Sequence, residues 1–188
     1  MKQTFTIVSL LLCLTIGFCA NTKSRKRKWP DNAVPLRTIA RPQYPALGDR
    51  PVLQPLANAL RGIQAKCERQ SGAIIKASNA GWSGKSKSHG NGKALDFVAD
   101  TRVTVNKRYC VKRRKSRCVK YAVKRMTVLS RTHPRSRLAF QCLLRSAHQR
   151  NLVTINETGM VLKNSKNQPV RPIRYPWTTG RNLHVGLP

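Results

Sequence analysis

The distribution of apolar residues predicts an α+β fold: a small mixed or antiparallel sheet with two main helices, held by disulfides. Three observations carry this expectation. Two stretches repeat apolar residues at helical spacing, several short stretches carry strand patterning, and an even four cysteines remain once the N-terminal segment is set aside. At 188 residues the chain has room for one domain with extensions and a sizeable core.

Residues 1–20 read as a secretory signal. Lys2 supplies a short positive region, an almost uninterrupted apolar run covers 5–18, and Gly17, Cys19 and Ala20 offer small residues for cleavage. The run is short for a membrane span and a charged segment follows it. The expectation is a secreted or periplasmic protein with no stable membrane span after cleavage. Residues 21–28 form a basic arm, Lys23-Ser24-Arg25-Lys26-Arg27-Lys28, of the kind seen in nuclear addresses and surface-binding tails. The nuclear reading conflicts with export. Residues 29–55 then hold six prolines, which predicts an extended lead-in rather than helix or central strand. The segment 21–52 is thus read as basic and proline-rich, and the folded domain as 53–188.

Leu53, Leu56, Leu60 and Ile63 predict a helix over 55–70, ended by Gly72. A short buried strand is expected over 73–77, a Gly/Ser loop over 79–92, and a strand over 93–99. Alternation around Cys110 and Cys118 predicts a basic β-hairpin inserted at about 101–128, capped by Lys112-Arg113-Arg114-Lys115-Ser116. Pro134 opens a second helix, to about residue 150, with Leu138, Cys142, Leu143 and Ala147 on one stripe. Residues 152–155 read as a strand, 164–179 as a polar loop, and 183–187 as a last strand. Cys67, Cys110, Cys118 and Cys142 allow three pairings. The favoured one joins Cys110 to Cys118 across a short loop and Cys67 to Cys142 between the two helices. A cysteine metal site is the competitor, but the chain has no CxxC pair.

The stretch Ser88-His89-Gly90-Asn91-Gly92-Lys93-Ala94-Leu95-Asp96-Phe97 carries the chemistry, together with the late Asn182-Leu183-His184-Val185. His89, Asp96 and His184 supply two nitrogen ligands and one oxygen ligand, the three-protein-ligand set of an open catalytic zinc site. A His in a glycine-permissive turn can approach a metal, and the small residues at 92 and 94 leave space for it. Taken singly, His89 reads equally as a solvated loop residue and Asp96 as a turn cap. The motif and the late His together favour the metal.

The pattern His89-x-x-Gly92-x-Ala94-x-Asp96 with a closing His184 resembles the signature of the DD-peptidase/hedgehog zinc superfamily. That group includes VanY-like carboxypeptidases and phage L-alanyl-D-glutamate endolysins. The resemblance extends to element order over about residues 53–188, and its sharp part is about fifteen residues long. It implies a zinc-peptidase domain with His89, Asp96 and His184 as ligands of one Zn2+, acting on peptidoglycan peptides. Members usually place an acidic or His general base two or three positions before the last ligand, where this chain has Arg181 and Asn182. Neither suits a group that must take a proton near neutral pH.

Six acidic residues make the search for a base short. Asp31 and Asp49 lie in the lead-in, Glu68 in the first helix, and Asp100 at the far end of the ligand strand. Glu157 follows the 152–155 strand and is the best candidate, since the resemblance places a Glu near the metal there. Its other reading is a solvent-facing turn residue in Asn156-Glu157-Thr158-Gly159. His133 and His148 read as structural or surface residues. Upstream of the motif, Ser78-Asn79-Ala80-Gly81-Trp82 lacks the Arg that wall peptidases often use for a substrate carboxylate.

The formal charge of +31, from 37 basic and six acidic side chains, implies an anionic partner. Wall polymers, lipopolysaccharide, anionic membrane and nucleic acid all qualify, and charge does not choose among them. Ten Lys/Arg fall in 107–125 with only Tyr109 and Tyr121 to stack, and no nucleic-acid signature accompanies them. The expected partner is peptidoglycan or another anionic envelope polymer, with non-specific nucleic acid in second place. Two function classes remain open: a secreted zinc peptidase, and a non-catalytic cationic binding protein on the same scaffold.

Overall fold

A computed structural model of the chain describes residues 30–80, 89, 91–174 and 181–188. The expected signal at 1–20, the basic arm at 21–28 and most of the Gly/Ser loop lie outside the described residues. The architecture is α+β. Its centre is a five-stranded antiparallel sheet in which β3 (Ile74–Ala80), β4 (Ala94–Arg114), β9 (Leu183–Gly186) and β6 (Val153–Asn156) lie side by side. The fifth strand, β5 (Arg117–Ser130), pairs with the outer part of β4. Three helices, α1 (Gln54–Leu60), α2 (Ile63–Ser71) and α3 (Pro134–His148), complete the main frame.

Alternation along the strands sorts the sheet into two faces. Leu95, Phe97 and Ala99 of β4, with Leu183 and Val185 of β9, enter one core with Phe140, Leu143 and Leu144 of α3. Asp96 and His184 therefore point to the face away from that core. The stripe of α3 differs from expectation. Leu138 is 57 % exposed, because the buried face runs instead through Ala139, Phe140, Leu143, Leu144 and Ala147.

The first predicted helix is two. The chain breaks at Arg61-Gly62, where Gly62 takes φ +76° and starts α2. A residue with a Cβ is disfavoured there, so the glycine permits a change of direction that an uninterrupted apolar stripe conceals. Gly72, at φ +66°, ends α2 as expected. The ligand strand and the hairpin are not separate elements either, since β4 runs without interruption from the core sheet into the hairpin. Lys115 and Ser116 turn the hairpin with φ of 45° and 65°, the left-handed pair of a tight two-residue turn.

The proline-rich segment wraps onto the core in short extended pieces. Leu36 and Leu47 are fully buried, and Ala40 and Val52 join the same core. Full burial of a leucine stabilises by roughly 1.5–3 kcal/mol relative to exposure. β1 (Ala33–Pro35) pairs antiparallel with β2 (Pro51–Leu53), so the folded part begins well before residue 53. Proline content is compatible with this because the strands are three residues long and lie at an edge. The expected loop 164–179 likewise contains a short strand: β7 (Leu162–Lys163) pairs with β8 (Pro169–Val170). Residues 175–179 of that loop are outside the described residues.

Both favoured cysteine pairs are disulfides. Cys67–Cys142 ties α2 to α3, and Cys110–Cys118 closes the outer hairpin. Among the described residues no helix is long and apolar enough to cross a membrane. The two disulfides are compatible with an extracytoplasmic protein.

Candidate metal centre

Three elements deliver the three predicted ligands. Asp96 on β4 and His184 on β9 are Cα partners in the antiparallel ladder, so their side chains leave the same face side by side. Ile155 of β6 flanks His184 on its other side. His89 arrives from the loop ahead of β4, which is fixed by a turn from the Gly92 N–H to the His89 carbonyl at 3.0 Å.

Gly92 is required in two ways. Its φ is +69°, and an added Cβ would lie 3.1 Å from the Pro51 carbonyl oxygen and 3.2 Å from the Leu53 nitrogen. Its own carbonyl accepts from the Leu53 N–H at 3.0 Å. The proline-rich lead-in is thus the wall against which the His89 turn is built. Gly186, paired with Ala94, is held small for a similar reason: a Cβ there would meet the Lys93 oxygen at 3.1 Å and the Ala94 Cβ at 3.2 Å.

One donor atom from each ligand converges. His89 Nε2 lies 3.4 Å and His184 Nδ1 2.9 Å from the same Asp96 oxygen, Oδ1. The three donor atoms are all within 4.8 Å of one another, and the imidazole rings meet edge to face at 4.8 Å between centroids. The side chains are only 7, 13 and 14 % exposed for His89, Asp96 and His184.

The other nitrogen of His89 decides what the first one offers. Nδ1 lies 3.2 Å from the Ala94 carbonyl oxygen, an acceptor only, so Nδ1 carries the hydrogen and donates it. In the neutral ring Nε2 then presents a lone pair to a carboxylate oxygen 3.4 Å away. Two lone pairs face each other, and a cation between them relieves the conflict. Backbone anchoring of the outer ring nitrogen is the usual support for a metal-ligating His. Donors each about 2.1 Å from a tetrahedral ion lie about 3.4 Å apart. The His89–Asp96 spacing of 3.4 Å matches this, while the widest donor spacing, up to 4.8 Å, requires an imidazole to turn inward to share one ion. The donor set fits a divalent metal on these grounds.

The electrostatics agree with a cation-seeking site. Burial pushes the Asp96 carboxyl up, but the adjacent His184 and His89 imidazoles, each able to place a proton where a cation would sit, outweigh it and bring the pKa down to about 2. Asp96 is therefore an anion throughout the working range.

Glu157 lies at the rim of this group. Its backbone N–H donates to the Asn182 carbonyl at 3.1 Å, extending the β6–β9 ladder by one step. Its Oε2 accepts from the Asn182 amide at 2.7 Å. The turn beneath it is fixed, since buried Asn156 accepts from the Thr158 N–H and hydroxyl and donates to the Met160 and Val170 carbonyls. Burial and the Asp96 charge raise the Glu157 pKa above its ordinary 4.5, against the Asn182 hydrogen bond and the attraction of the two histidines.

The remaining acids are engaged elsewhere or exposed. Glu68 accepts from the Ile75 N–H at 2.8 Å and from Arg41. Asp100 pairs with Arg131 at 3.0 Å, Asp49 pairs with Arg37, and Asp31 is exposed. His133 caps α3 by accepting from the Arg135 N–H, and His148 bonds Thr154 at 2.7 Å. Neither joins the metal group.

Sequence reasoning passed over Asn182 because it is no base. Its amide donates to the Glu157 carboxylate, a pairing made across 25 residues of chain. The only sequence signal was its place two residues before His184, on the same side of the chain. No family model, curated protein or solved structure matches this chain.

Proposed function

We propose that the protein is a zinc-dependent peptidase acting on the peptides of peptidoglycan, outside the cytoplasm. The observation that carries it is the convergence of His89 Nε2, Asp96 Oδ1 and His184 Nδ1, with Glu157 at the rim. The substrate class comes from the resemblance of the His89–Asp96 motif and the closing His184 to the DD-peptidase/hedgehog superfamily. The compartment comes from the apolar segment 1–20 and the two disulfides.

His89, Asp96 and His184 would hold the ion, leaving a fourth position for water or substrate. Zinc bound there supplies Lewis acidity, which polarises a peptide carbonyl and lets water attack near neutral pH. Glu157 takes the proton of the attacking water on its carboxylate and returns it to the leaving amine. Asn182, by donating to Oε2, keeps that carboxylate oriented and leaves Oε1 to receive the proton. The raised pKa of Glu157 brings it nearer to neutral pH, which suits a group that must both accept and release a proton.

The test is hydrolysis of purified peptidoglycan stem peptides by the zinc-loaded, disulfide-intact chain, followed by mass spectrometry. The expected result is defined cleavage that His89→Ala abolishes and Glu157→Gln slows by about a hundredfold or more. Zinc binding without cleavage would overturn the peptidase reading in favour of a binding protein. The observation that favours this second reading is the placement of Arg181 and Asn182 before the last ligand.

A further inference from the structure

Beyond Thr101 and Ser130 the strands β4 and β5 pair with each other alone and form a two-stranded ribbon. Residues 101–130 contain eleven Lys/Arg and no acid. At about 3.3 Å per residue the ribbon projects on the order of 40 Å from the sheet.

Its apolar side chains are the unexpected part. Val111, Val119, Val123 and Leu129 are 54, 55, 66 and 55 % exposed, and Tyr109 and Tyr121 are each 48 % exposed. The ladder sets Arg108 opposite Val123 and Arg102 opposite Leu129, so cation and aliphatic chain stand side by side on one face. The Arg108 guanidinium lies 3.9 Å over the Tyr121 ring. The Cys110–Cys118 disulfide closes the ribbon near its tip and holds this arrangement without a core beneath it.

We propose that the ribbon docks on an anionic lipid surface. A soluble polyanion neutralises cations but offers no apolar phase, so it leaves exposed aliphatic side chains in water. A membrane of anionic lipid offers both: phosphates for the arginines and lysines, and the acyl boundary for Tyr121, Val123 and Leu129, which share the face of Arg102 and Arg108. Tyrosine suits that boundary because its ring is apolar and its hydroxyl wet. This inference does not rest on the hydrolytic reading, since the ribbon shares no residue with the metal group.

The test uses the full chain and vesicles of phosphatidylcholine with and without phosphatidylglycerol. The chain should sediment with the anionic vesicles and not with the neutral ones. Anionic vesicles should also shield the bonds after Arg113, Arg114 and Arg117 from trypsin, a local readout that segment 1–20 cannot mimic. A Val111→Ser/Val123→Ser/Leu129→Ser chain, which keeps every charge, should bind those vesicles at least about tenfold more weakly. Its affinity for inorganic polyphosphate should be unchanged, and an unaltered circular dichroism spectrum shows that it is folded. Equal vesicle binding by the triple variant would overturn the lipid assignment and leave a polyanion arm. Tighter binding to duplex DNA, with equal protection from trypsin, would assign the ribbon to nucleic acid instead.

Discussion

Asp96 Oδ1 is shared by two imidazoles, His184 Nδ1 at 2.9 Å and His89 Nε2 at 3.4 Å. Only a proton or a metal cation makes this arrangement favourable, because the outer nitrogen of His89 has its hydrogen committed to the Ala94 carbonyl. One zinc per chain is therefore expected on titration of the disulfide-intact protein. His184→Ala should lower the affinity by at least a hundredfold, and isothermal titration with competing chelator measures it. No metal bound by either chain would remove the centre.

The metal-free protein should lose stability in acid. The Asp96 carboxyl titrates at about 2 when folded against 3.8 in the ordinary carboxylate. The unfolded chain therefore binds the proton first as pH falls. The contribution, roughly 2 kcal/mol, is complete above about pH 4 and is lost as pH falls toward 2. Denaturant melts in chelator between pH 5 and 2 should show this limb, and Asp96→Asn should lack it.

Glu157 and Asn182 separate by pH profile. Glu157→Gln should cost about a hundredfold to ten-thousandfold in kcat. Asn182→Leu removes the one hydrogen bond that favours the Glu157 carboxylate, so the acid limb of kcat/KM should move to higher pH. A loss of rate with an unmoved limb would show that Asn182 only supports the fold.

Much of this was legible from residue pattern alone. The triad stood out because His89, Gly92, Ala94 and Asp96 meet local needs of a single turn and strand. The core role of Leu36 and Leu47 did not, because six prolines signal extended backbone and say nothing of where it docks. The break at Gly62 was masked by apolar spacing that continues across it. Asn182 needed the pairing of β6 with β9, a long-range fact that no window of sequence contains.

The two disulfides should differ in what they protect. Cys67–Cys142 closes 75 residues, and Cys110–Cys118 closes eight. Chain-entropy arguments give about 4 kcal/mol for the first and about 2.5 kcal/mol for the second. Replacing the first pair with alanines should lower the unfolding free energy of the whole domain. Replacing the second should leave the domain transition in place and speed proteolysis of the hairpin only. Calorimetry and timed trypsin digestion distinguish the two.

Gly92→Ala tests the wall behind His89. The methyl would press on Pro51 and Leu53 in a backbone conformation that disfavours it. A cost of about 1–3 kcal/mol is expected, with weaker zinc binding as the turn shifts. Chemical denaturation and metal titration report the two effects separately.

Thr101 and Ser130 face each other across the base of the hairpin. Everything between them leaves and returns at neighbouring points on the sheet, so its gain or loss is a single event in the gene that leaves the register of the other strands intact. Trimming the loop to a two-residue turn should yield a shorter chain with its metal-binding face unaltered, and lengthening it would change how far the arm reaches without touching the histidines.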